Sequence, residues 1–158
     1  MGEAIVNFLE WTESSAVARI IQESMWGYPI VLSSHAVGMA ILAGLVLMVN
    51  FRLLGFAAAV PLSPLLTVLK VALWGFVINF ISGALLFTAD ATHFFFSWPF
   101  RIKVMLLIIG GTCLWLVFKQ LRQIDSSSGI GTLGKAVPAI AIISWTGVIV
   151  AGRLIAYL

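Results

Sequence analysis

The stretch YPIVLSSHAVGMAILAGLVLMVNFR, residues 28–52, decides the fold. From Tyr28 to Phe51 it carries no formally charged side chain. That is length enough for a helix to cross a hydrocarbon core of roughly 30 Å. It also holds one of the two histidines of the chain, His35, about two turns inside its first end at about 1.5 Å per residue. Hydrocarbon offers an imidazole no hydrogen-bond partner. At that depth the ring must bond a neighbouring helix, titrate or bind something.

Outward from this stretch the chain stays oily. Of its 158 residues 61% are hydrophobic and 9% charged, with a mean hydropathy of +1.11. A soluble domain carries about 25% charged residues, so this chain cannot clothe itself in water. A single membrane domain follows. The formal charge of +3 comes from nine basic residues scattered along the chain. They form no stripe, so nucleic acid is not an expected partner. The one cysteine, Cys113, lies in an apolar run and has no partner for an internal disulfide. The first 27 residues hold Glu3, Glu10, Glu13, Glu23 and Arg19, unlike the basic start and apolar core of a cleavable signal.

Residues 3–24 place Ile5, Phe8, Leu9, Ala16, Val17, Ile20 and Ile21 at three-to-four spacing among those charges. The pattern predicts an amphipathic helix, broken near Thr12–Ser15, lying on a membrane surface or on the bundle. Trp11 and Trp26 suit the interfacial layer. Four spans are then expected, at about 29–51, 66–88, 99–119 and 136–157. Ser34, Ala36, Gly38, Ala40 and Gly44 give the first a small-residue face. Trp98-Pro99 reads as a short interfacial turn ahead of the third, Pro138 falls in the first turn of the fourth, and residues 119–135 read as the most water-exposed loop. The fold class is therefore all-α: an integral membrane four-helix bundle with an N-terminal amphipathic surface helix.

Four spans put both termini on one side. Arg52, Lys70, Lys119, Arg122 and Lys135 gather at the loop end, against Arg19, Arg101, Lys103 and Arg153 at the other. The positive-inside rule then predicts the loop end in the cytoplasm and both termini outside.

The ionisable groups sunk in the spans cluster at the terminal end. His35 is two turns in, Lys103 and Arg153 about one turn, and Asp90, His93 and Arg101 stand at the rim. Such groups usually face the bundle interior and mark a site or an ion pair, although long basic side chains also snorkel to the interface. An anionic partner shared by two cations and two histidines is one expectation. Haem b fits it, with His35 and His93 as iron ligands and Lys103, Arg153 and Arg101 near the propionates. That arrangement requires His93 to continue the second span. Copper is the alternative, held by His35, His93 and Met39, the last four residues from His35 on the same helical face. The plainer reading has no cofactor, and His35 hydrogen-bonds a neighbouring helix. Asn79 and Ser144 are further interhelical bonders, and Gly110 and Gly111 serve close packing.

Trp26-Gly27-Tyr28-Pro29, His35-Ala36-Val37-Gly38 and Asn50-Phe51-Arg52-Leu53-Leu54-Gly55 resemble motifs of a family of small bacterial four-helix membrane proteins of unknown function. Pro99-Phe100-Arg101-Ile102-Lys103 is similar to that family's Pro-x-Phe-x-x-Lys start of helix three. Gly152-Arg153-Leu154-Ile155-Ala156-Tyr157 is similar to its C-terminal Gly-Arg. Two positions depart: Asn50 stands where the family has an acid, and His93 where a tyrosine or another residue is expected. The resemblance therefore implies the four-helix fold but not a two-histidine site. The layout is also similar, more loosely, to copper-resistance D-type membrane proteins and b-type membrane cytochromes. Function is expected to be either a redox (electron-transfer) or metal-handling subunit, or a non-catalytic accessory subunit that packs against membrane or periplasmic partners.

Overall fold

A computed structural model describes residues 2–56, 59–123, 132–155 and 157. Its described residues form helices and no strand: α1 (Gly2–Glu13), α2 (Ala16–Glu23), α3 (Gly27–Leu54), α4 (Leu65–Ala89), α5 (Ala91–Phe96), α6 (Trp98–Gln123) and α7 (Thr132–Leu154). Helices α3, α4, α6 and α7 are each long and apolar enough to cross a membrane. Large apolar side chains such as Trp74, Ile81, Ile108 and Ile143 stand on their outer faces, as suits contact with lipid. The chain is an all-α, multi-pass membrane protein.

Local chemistry explains the helix ends. Ser15 separates the two N-terminal helices, and its side chain accepts from the Ala18 N–H at 3.2 Å as the cap of α2. Gly55, at φ 103°, ends α3 in a left-handed turn that side chains disfavour. There the N–H of Gly55 donates to Arg52 O and that of Phe56 to Phe51 O, both at 3.1 Å. Arg52 Nε also donates to Val60 O, tying the following loop to the helix.

Two helix ends differ from the sequence expectation. Helix α6 runs on to Gln123, because Leu121 is buried in the core while Lys119 and Arg122 fold back over the rings of Trp115 and Phe118. Helix α7 starts at Thr132, so Pro138 lies inside it and not in its first turn. A proline there has no N–H to donate to the Gly134 carbonyl, and its ring crowds that carbonyl. The expected loop residues Asp125–Gly131 lie outside the described residues.

The spans pair as hairpins, α3 with α4 and α6 with α7, and the hairpins meet along α3 and α7. Helices α4 and α6 touch little. The main core, including Leu42, Val46, Leu69, Val117 and Trp145, fills the half nearer the 55–64 loop. Cys113 is free and packed within it. At the other end α1 and α2 sit on the bundle, with Leu9, Ala18 and Ile21 buried. Two contacts strap them down: Gln22 Nε2 donates to Ala89 O, and Glu13 Oε1 accepts from the Thr92 N–H at 2.6 Å.

Candidate functional site

His35 reaches across the α3–α4 seam. Its Nδ1 lies 3.1 Å from both Asn79 O and Ser82 Oγ, and Asn79 Nδ2 returns a bond to His35 O at 3.0 Å. This reciprocal clamp forms because the helices approach closely at glycines. A Cβ on Gly38 would sit 2.8 Å from the Asn79 nitrogen, and one on Gly75 2.8 Å from that of Leu42. Of the expected small-residue face, Gly38 makes this approach, whereas Gly44 has open space beside it. Gly83 then leaves room for the ring, whose Cε1 is 3.1 Å from where a Cβ would stand.

Two clefts open around this clamp. The larger, about 490 Å³, is walled by Phe76, Phe80, Phe87 and Phe100, with Phe8 and Thr12 of α1 at its edge. Its size and apolar lining suit a small-molecule site. The smaller, about 260 Å³, includes Tyr28, Asp90, His93 and Gly152. His35, Gly83, Phe87, Phe100 and Lys103 line both, so the clefts meet at the imidazole and the ammonium. Lys103 runs beside Gly152 of α7, with its Nζ 3.5 Å from where a Cβ there would be. Two glycines thus make space for the two polar side chains.

The predicted residues divide. His35, His93 and Lys103 come together around the smaller cleft. His93, however, does not continue α4, which stops at Asp90; it rides on α5, exposed, with Nδ1 3.5 Å from Asp90 Oδ2. The straps from Gln22 and Glu13 hold that break open. Arg153 is exposed; its guanidinium donates to Tyr157 Oη at 3.0 Å and lies over the same ring. Arg101 donates to Phe95 O at 3.2 Å and leans over Trp98. Met39 lines neither cleft. Among the described residues, no cluster of three His, Cys, Asp or Glu side chains could hold a metal ion.

The chain matches no family model, no curated protein and no solved structure.

Sequence reasoning missed the aromatic walls. Phe76, Phe80 and Phe87 recur at helical spacing on α4 and would have marked one face, but lipid-facing phenylalanines carry the same spacing. Gly83 and Gly152 gave no signal of their role, because a glycine reads alike whether it admits a helix or a side chain.

Proposed function

We propose that this protein binds an anionic amphiphile within the membrane, an apolar body bearing a carboxylate or phosphate, held where the two clefts meet at Lys103. One observation carries the reading: Lys103 lines both clefts from inside a spanning helix, and among the described residues no carboxylate lies within 4.0 Å of its ammonium. A cation so placed calls for an anion, and the aromatic cleft beside it suits the apolar remainder.

That chemistry has two sources, a lipid and haem b. For haem, the chain offers His35 as one axial ligand and Lys103 as a propionate partner. With Nδ1 engaged by Asn79 and Ser82, Nε2 is the nitrogen left for iron, and metal-binding histidines are commonly anchored through their other nitrogen in this way. His93, exposed and beside Asp90, favours a single-histidine site over the pair expected from sequence. Arg101 and Arg153 are engaged with Phe95 and Tyr157 and add no support as propionate partners. Bound haem would supply one-electron transfer. The copper alternative gains nothing from Met39, which stands away from both clefts.

Purification in mild detergent tests the proposal. We expect either a Soret band with a sharp α band on reduction, lost in His35→Ala, or a co-purifying anionic lipid, lost in Lys103→Gln. If neither accompanies the protein, the reading fails. The accessory-subunit reading then stands on the His35–Asn79–Ser82 clamp, which holds α3 to α4 without any ligand. Membership of the small bacterial four-helix family, an inner-membrane location and periplasmic termini belong to the same proposal. A reporter fused to the C-terminus checks the orientation.

A further inference from the structure

A third cleft of about 370 Å³ lies deeper in the bundle, on the same α4–α6 side as the larger of the two clefts above. It shares Phe76 with that cleft. The walls of the two continue one another. Down α4 run Phe87, Phe80, Phe76, Leu73 and Leu69; down α6 run Phe100, Lys103, Leu107, Gly111, Leu114 and Phe118. Most of these steps are three or four residues and the longest is seven, so each set forms one stripe along its helix. The clefts are therefore parts of a single groove where α4 and α6 fail to close on each other.

The groove is long. From Lys103 to Phe118 it follows α6 for roughly 22 Å. One leaflet's share of the hydrocarbon core is about 15 Å. We infer that the groove takes a single long hydrocarbon tail, acyl or isoprenoid, that starts at an anionic head on Lys103 and crosses the bilayer midplane. The occupant is set by the charge at one end and the length of the apolar track beyond it. A phospholipid with two chains confined to one leaflet would leave the lower part empty. This inference rests on the head-group reading of Lys103 and adds the tail to it.

Gly111 stands on the track with nothing within 4 Å of where its Cβ would be. A large side chain there would plug the groove without touching Lys103. The test uses the full chain in nanodiscs with octyl, octadecyl and geranylgeranyl phosphate, read by thermal shift and native mass spectrometry. Octadecyl or geranylgeranyl phosphate should bind the unaltered protein far more tightly than octyl phosphate, and the better of the two identifies the tail. Gly111→Phe should weaken the long ligand several-fold, by removing the dispersion contacts its lower half makes with the groove walls, and leave octyl phosphate unchanged. Lys103→Gln should weaken all three. The tail inference is overturned if long and short phosphates bind the unaltered protein equally, a comparison that does not depend on any variant folding. It is also overturned if a folded Gly111→Phe binds the long ligand as before. If no phosphate binds at all, the head-group reading falls first and the tail with it.

Discussion

The α3–α4 seam and the α4–α6 seam share a helix, yet one is sealed and the other open. Along the first, Gly38 and Gly75 bring backbones so near that no side chain fits between them. His35, Asn79 and Ser82 then bond across it. Along the second, α4 presents phenylalanines and leucines to a face of α6 that includes Gly111 and Lys103, and the helices stay apart. Hydrophobicity does not distinguish the seams, since lipid is as apolar as leucine and gives helices no reason to associate. Close backbone approach and interhelical hydrogen bonds do. The site lies where the sealed seam presents its polar clamp to the open one.

The sharpest way to break the comparison is to force the sealed seam apart. In Gly38→Leu the new side chain meets Asn79 backbone, which cannot rotate away. Destabilisation of about 3 kcal/mol or more is expected, with loss of monodisperse protein or a large drop in the unfolding midpoint in detergent. A midpoint within a degree or two of the unaltered protein would mean that α3 and α4 have slack not evident in their contacts.

A smaller effect comes from the clamp itself. Asn79→Ala removes the bond to His35 O, and a membrane hydrogen bond of this kind is worth about 0.6 kcal/mol, with a maximum of about 1.7. Ser82→Ala should cost no more, because Asn79 O still faces His35 Nδ1. A double-mutant cycle between His35→Phe and Ser82→Ala, read by denaturation, should give a non-zero coupling. Strict additivity would show that Nδ1 is not shared between Asn79 O and Ser82 Oγ.

How much of this was legible in the sequence follows from which terms are local. The spans were, because length and hydropathy alone decide them, and so was the depth of His35. Gly38 was visible as a small residue at helical spacing. The fate of His93 was not: whether α4 continues past Asp90 depends on Gln22 and Glu13, both distant in the chain. Nor was the length of α6, since Lys119 and Arg122 read as loop until their stems are seen lying over Trp115 and Phe118. The open groove was least legible of all. Phe80 or Leu107 has the same hydropathy facing lipid, a partner helix or a void.

The adjacent glycines of α6 sharpen that last point. A Cβ on Gly110 would lie 3.1 Å from the indole of Trp145, a ring only 1% exposed, whereas one on Gly111 meets nothing. Alanine at either position gains the same helix propensity, up to about 1 kcal/mol. The difference between Gly111→Ala and Gly110→Ala therefore isolates packing. We expect Gly111→Ala to raise the unfolding midpoint and Gly110→Ala to fall below it by about 1 kcal/mol or more, the lower end of an overpacking penalty. Equal midpoints would mean that α4 closes on α6 in the bilayer, so that Gly111 is packed as tightly as its neighbour. The two seams would then be alike, and the space proposed for a ligand would not persist.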